Sequence, residues 1–173
     1  MGQDFESNHR SGFGRNRRFQ RKCDEPVRRI DLIVIHCSAT REDRPFTEQD
    51  LETAHRLRGF DGTGYHFYVR RNGDIKSTRL VERVGAHVRG HNANSIGICY
   101  EGGLDCHGLA KDTRTEWQKH SLRVLVRALK MDYPEAKVVG HRDLSPDINE
   151  NGEVEPMEWT KECPCFEVGE ERW

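Results

Sequence analysis

A single mixed β-sheet flanked by helices is the fold class this sequence predicts, and three features carry that expectation. The apolar run from Leu32 to Ile35 reads as a buried strand. Asn72-Gly73, inside "YHFYVRRNGDIKSTR", is the strongest short-range hairpin signal and precludes an all-parallel sheet. Thr47 with Asp50, and Thr115 with Gln118, are capping pairs that open helices between strand-like runs. Strands and helices that interleave around a hairpin are satisfied by one mixed sheet with helices on its faces.

Taken in order, residues 1–28 are rich in Arg, Gly, Ser and Asn without periodicity, and they read as a flexible basic tail with too little apolar surface to offset ordering. A sharper reading makes the tail an arm for RNA polymerase or nucleic acid; the scarcity of aromatics beyond Phe13 and Phe19 weighs against it. "RIDLIVIHC" follows as a strand that delivers His36 near its end, and Thr47 caps a helix through about Leu57. The hairpin comes next, then a loop holding His87 and His91, then the strand "SIGICYE". Thr115 opens a helix in which Leu122, Leu125 and Leu129 recur on one face. "AKVVGH" is a last short strand with His141 at its end. An acidic stretch, a short segment from Met157 and a tail at 169–173 complete the chain, so the expected domain spans 29–168.

Composition narrows the class of protein but names no partner. Hydrophobic residues make up 34% and charged ones 33%, polar for a globular chain, and the net charge of -1 hides a basic start and an acidic stretch after Asp147. No apolar run suits a signal peptide or a membrane span, so the expectation is a monomer, cytoplasmic as synthesised. Met1-Gly2 lacks the Ser or Thr of a myristoylation signal, since Glu6 stands there. Six cysteines without an export signal read as reduced thiols, some of them ligands; Cys23, Cys37 and Cys99 read as inert.

The residue types that bind zinc lie near the chain's end and at two strand ends. Catalytic zinc needs three ligands and one open position. His36 and His141, each ending an apolar strand, can meet at one sheet edge, and "TKECPCF" offers a thiolate from Cys163 or Cys165. A single histidine is as readily a hydrogen-bonded structural residue, and these residues alone leave the two cysteines equivalent.

Five motifs in order make the case specific. "IVIHCSAT", "GYHF", "GAHVRGHNANSIGICYEGG", "GHRD" and "KECPCF" together closely resemble the zinc-dependent N-acetylmuramoyl-L-alanine amidases of type 2, over about residues 30–168. That family includes bacteriophage lysozymes that are amidases, and it shares its fold with peptidoglycan recognition proteins. The resemblance implies that His36, His141 and Cys163 bind one zinc ion and that Tyr65 and Lys161 are required for catalysis. It implies no role for Cys165, and it sets His87 near the cleft. Amide cleavage fits these residues: an ammonium can stabilise the developing oxyanion, and a phenol suits orienting better than proton abstraction at neutral pH. His87, Asn92 and Asn94 are candidate substrate contacts in a polar loop, with a loop satisfying its own backbone as the alternative for the asparagines. His66 follows Tyr65 in a strand, points to the other face and reads as structural.

One stretch departs from the family. Asp147, Asn149, Asn151, Gly152 and Glu158 match the calcium-loop pattern D-x-[DN]-x-[DN]-G-x5-E, inserted at 147–158 between the second and third ligands. Glu153 would lend its carbonyl and Glu158 both oxygens, so a weakly bound structural calcium is expected, with an ordinary acidic turn as the alternative. The resemblance implies an enzyme that hydrolyses the bond between N-acetylmuramic acid and L-alanine in peptidoglycan, reaching the wall after lysis or by another route. Its rivals are a peptidoglycan-binding module without activity, which would typically lack the ligand cysteine, and an interaction protein working through the basic tail.

Overall fold

The computed structural model describes residues 28–173. The tail at 1–27 and Cys23 lie outside them. Among the described residues, seven strands and two α-helices follow in the order β1 (Leu32–Cys37), β2 (Thr40–Arg41), α1 (Glu48–Leu57), β3 (Phe67–Val69), β4 (Ile75–Ser77), β5 (Ser95–Tyr100), β6 (Gly103–Leu104), α2 (Glu116–Asp132) and β7 (Lys137–Gly140). Five strands form one sheet in the order β4-β3-β5-β1-β7. β1 runs parallel to both β5 and β7, and only the β3–β4 hairpin is antiparallel. The mixed sheet expected from Asn72-Gly73 is therefore present. β2 and β6 form a separate two-residue ladder that no sequence pattern marked.

Alternation along β1 sorts its side chains to two layers. Ile33, Ile35 and Cys37 join Ile96, Ile98 and Tyr100 of β5 and Leu122, Leu125, Val126 and Leu129 of α2 in the main core. The other face holds a smaller cluster of Leu51, Tyr68 and Cys99 beneath α1. His36 lies on this second face, fully buried near the carboxyl end of β1, which is flanked by β5 and β7. Both helices start as the capping pairs predict, with reciprocal side-chain and backbone bonds between Thr47 and Asp50 and between Thr115 and Gln118.

Residues at both ends of the described stretch are tied to the domain. Arg28 belongs to the domain: its guanidinium donates to the carbonyls of Val81 (3.1 Å), Asn92 (2.8 Å), Ala93 (3.2 Å) and Ser95 (3.0 Å). At the other end, Glu171 accepts from Arg114 (2.9 Å) and Arg123 (3.1 Å), while Trp173 packs against the core and its indole N–H donates to the Val168 carbonyl. Local composition misplaces these residues because their partners lie tens of residues away.

Candidate metal centre and active site

Parallel strands deliver two histidines to one edge of the sheet. β1 ends with His36 paired in register to Cys99 of β5, and β7 ends at Gly140, immediately before His141. The His141 N–H continues the ladder to the Ile35 carbonyl at 3.1 Å, which brings the two imidazoles to a centroid separation of 4.7 Å. Crevices beyond the carboxyl ends of parallel strands are where α/β sheets bind ligands.

Cys163 arrives from the segment after the insertion. Its sulfur lies 3.8 Å from His36 Nδ1 and accepts the Cys37 N–H at 3.2 Å, while its carbonyl accepts from Arg142 N at 2.9 Å. Tyr100 Oη clamps the next residue by donating to the Pro164 carbonyl at 2.6 Å. One ligand atom each from His36, His141 and Cys163 falls within 4.8 Å of the others, and this is the one such His, Cys or carboxylate group among the described residues. Cys165 is turned away, its sulfur 3.8 Å from that of Cys37. The backbone between the two cysteines thus separates residues that the sequence left equivalent.

The donor set suits zinc. Tetrahedral zinc with Zn–S about 2.3 Å and Zn–N about 2.0 Å places nitrogen and sulfur about 3.5 Å apart, close to the 3.8 Å found here. Burial holds His36 well below its ordinary pKa and brings His141 down to about 4, with the Lys161 ammonium lowering both further. Both imidazoles are therefore neutral at physiological pH with lone pairs to offer a cation. The hydrogen bond to Cys163, and then burial, push the Cys37 thiol up to about 12, and burial holds the Cys99 thiol well above its ordinary range.

A cavity of about 210 Å³ opens over these groups. Tyr65, His87, Lys161, His141 and Cys163 line it, together with His55, Arg58 and Phe60 from the end of α1 and the loop that follows, while His36 is fully buried behind them. Tyr65 stacks 4.9 Å from His36, and burial lifts its phenol well above the ordinary range, so it is a hydrogen-bond donor. His55 accepts the Gly64 N–H at 3.0 Å and packs 5.5 Å from Tyr65, fixing the approach of that ring. Sequence reasoning missed His55 and Arg58; their position in "AHRLRGF", at the end of a helix, is the only local signal they carry. A larger concavity of about 800 Å³ lies between the end of α2 and β7, but it contains no ligating cluster, so size alone does not locate the chemistry.

The polar loop divides differently from expectation. His87 reaches the site, with Nδ1 3.0 Å from His36 Nε2. Asn92 and Asn94 are not among the residues that line this cavity. Asn92 Oδ1 accepts the N–H groups of His87 and Val88 (2.8 and 2.9 Å), and Asn94 donates to Asp31 at 3.0 Å, beside the opposite end of β1. His66 lies just before β3 rather than within a strand, and its ring is held by the backbone: Nδ1 accepts the Gly97 N–H at 2.9 Å and Nε2 bonds the Arg83 carbonyl at 3.0 Å.

The insertion is closed by its own hydrogen bonds. Asp147 accepts from Asn151 N and Gly152 N, Asn149 Oδ1 from Asn151 N, and Asn151 Oδ1 from Glu153 N. Glu158 is buried, and its two oxygens accept three N–H groups, from Ile148 (2.8 Å), Asn149 (3.1 Å) and Glu155 (2.9 Å). A carboxylate has about four lone-pair sites, so bidentate calcium binding by Glu158 requires breaking bonds already made. This geometry favours the acidic turn over the calcium brace. The loop is tied to the second ligand's side of the site by Arg142, whose guanidinium stacks 3.9 Å over Trp159 and pairs with Glu167.

Comparison with known proteins points the same way. Residues 26–165 match the family model of N-acetylmuramoyl-L-alanine amidase. The endolysin of Escherichia phage T7 is 33% identical over 143 residues, covering 83% of this chain and 84% of its own. An uncharacterized protein of Haemophilus influenzae is 47% identical over 97 residues, 56% of this chain and 84% of its own. Among solved structures, the N-acetylmuramoyl-L-alanine amidase LysC from Clostridium intestinale superposes with a TM-score of 0.63 at 30% identity, covering 80% and 78% of the two chains. Drosophila PGRP-LB, at 22% identity and a TM-score of 0.60 over 79% and 75% of the chains, shares the fold.

Proposed function

The chain belongs to the N-acetylmuramoyl-L-alanine amidase family, and from that premise we propose that His36, His141 and Cys163 hold a catalytic zinc beside Tyr65 and Lys161. The protein is a peptidoglycan amidase, hydrolysing the amide between N-acetylmuramic acid and L-alanine. The observation that carries the zinc reading is the convergence of two neutral imidazoles and a thiol at one strand-end edge, where His141 and Cys163 face the cavity that Tyr65 and Lys161 also line.

When bound, the metal would polarise the scissile carbonyl and lower the pKa of a water. The chain's own groups supply the rest. Tyr65, kept protonated by burial, donates a hydrogen bond toward the reacting centre and orients what enters beside His36. The Lys161 side chain sits exposed at the cavity rim, where its positive charge stabilises the negative charge that builds on the carbonyl oxygen. His55 and Phe60 wall the cavity and exclude water from one side.

A recognition module of the same fold is the second reading, and the cysteine ligand speaks against it. Digestion of purified peptidoglycan followed by mass spectrometry separates the two. The expected products are stem peptides with a free L-alanine amine and glycan strands with a free lactyl carboxylate; intact material at high enzyme concentration sinks the amidase reading. The calcium brace at 147–158 and the partner role of the basic tail are separate proposals, and neither is required by this chemistry.

A further inference from the structure

A metal ligand imidazole works only if the nitrogen facing the metal carries the lone pair, so something must hold the proton on the other nitrogen. Around His36 the hydrogen bonds run in one direction. Ser95 Oγ lies 2.7 Å from the His91 carbonyl, which can only accept, so the Ser95 hydroxyl hydrogen points there. Ser95 Oγ is then left as an acceptor for His87 Nε2 at 3.3 Å. In a neutral imidazole the other nitrogen accepts, so His87 Nδ1 takes a proton donated by His36 Nε2 across 3.0 Å. His36 Nδ1 is thereby left with its lone pair, on the side where Cys163 Sγ lies 3.8 Å away.

The His87 ring is seated for this task. A Cβ on Gly97 would fall 2.6 Å from His87 Cγ and Cδ2, and one on Gly85 2.6 Å from Cδ2, so two side-chain-free backbones form a slot the width of an imidazole. Asn92 grips the His87 backbone N–H at 2.8 Å, which gives the loop asparagine a structural purpose. We propose that His87, backed by Ser95, is a positioning residue that fixes the tautomer of His36 and so prepares Nδ1 for the metal. The proposal deepens the zinc reading of His36 and rests on it.

Imidazole nitrogen NMR on the metal-free full-length chain tests the relay directly. The expected spectrum shows His36 and His87 both as Nε2–H tautomers; an Nδ1–H tautomer at either residue overturns the proposal. Zinc competition against a chelator supplies the second arm. His87→Phe, which keeps a ring but cannot accept, is expected to weaken zinc binding about 10- to 100-fold, the usual effect of removing a partner of a metal ligand. His87→Asn, whose Oδ1 takes the place of Nδ1, should recover most of that loss. Ser95→Ala, which leaves the slot intact, should shift part of the His87 population to the other tautomer. Parent-like zinc affinity in His87→Phe sinks the relay and leaves the amidase reading standing. A parent protein with the expected tautomers and no zinc binding instead rejects the metal reading on which the relay rests.

Discussion

The two sides of the cavity are built by different means. His36 and His141 stand at the ends of adjacent parallel strands, and their positions are set by the β1–β5 and β1–β7 ladders. Lys161 and Cys163 lie on a stretch without strands, downstream of a loop held by side chains bonded to its own backbone. The strand side cannot move without the core moving with it. The loop side is anchored by a handful of bonds, among them Arg142 N to the Cys163 carbonyl and Tyr100 Oη to the Pro164 carbonyl. Changes on the loop side should therefore tune the site, whereas loss of any ligand should destroy it.

The largest effect tests whether both sides are needed. His36→Ala, His141→Ala and Cys163→Ala should each lose bound zinc and fall to background activity, because a three-ligand site fails when one ligand goes. Cys165→Ser should remain close to the parent, since its sulfur faces Cys37. Metal analysis decides: zinc kept in the Cys163 variant and lost in the Cys165 variant would reverse the assignment.

Next come the groups that touch the reaction without holding metal. Tyr65→Phe and Lys161→Ala should keep zinc while kcat falls about 10²- to 10³-fold, the usual loss when a donor to a developing charge is removed. Unchanged turnover in the Lys161 variant would remove it from the mechanism.

Loosening the loop sharpens the comparison further. Glu158→Ala deletes the acceptor for three backbone N–H groups and should lower kcat/KM about tenfold by misplacing Lys161 and Cys163, with little change in the sheet. Amide exchange measures both regions at once; equal loss of protection in β1 and in the insertion would show that the two sides are not separable.

Acid should act on the strand side. Burial lowers His66 and His141 to about 4 and His87 to about 3, so the folded state resists protons that unfolded histidines accept from about pH 6.5 downward. Stability from these groups is thus complete above that pH and lost as the pH falls toward their folded values. The Tm of the metal-free protein should drop across this window, and a flat profile would show that these histidines are not held neutral.

The smallest effect belongs to calcium. With three N–H groups already on Glu158, several millimolar calcium should leave the Tm of the zinc-loaded protein nearly unchanged. A clear rise that Asp147→Ala with Glu158→Gln abolishes would restore the structural brace that the spacing predicts.

Much of the architecture was legible in the sequence because it is local or periodic. The capping pairs at Thr47 and Thr115, the Asn72-Gly73 hairpin and the apolar run before His36 each specify an element within a few residues, and each is found where expected. Ordered motifs likewise named His36, His141, Cys163, Tyr65 and Lys161; the last four line one cavity, and His36 lies buried against His141 and Cys163. What local pattern could not supply is which distant groups meet. Arg28 reads as tail until its carbonyl partners, 53 to 67 residues away, are seen. His87 and Asn92 look alike as polar loop residues, yet one lies against a ligand and the other holds the loop. Cys163 and Cys165 differ only in which way the backbone between them turns. Periodicity and spacing report the neighbours a residue has along its own element. The partners of a buried polar group are chosen by strand order and by the loops that cross it, and those exist only once the sheet has closed around them.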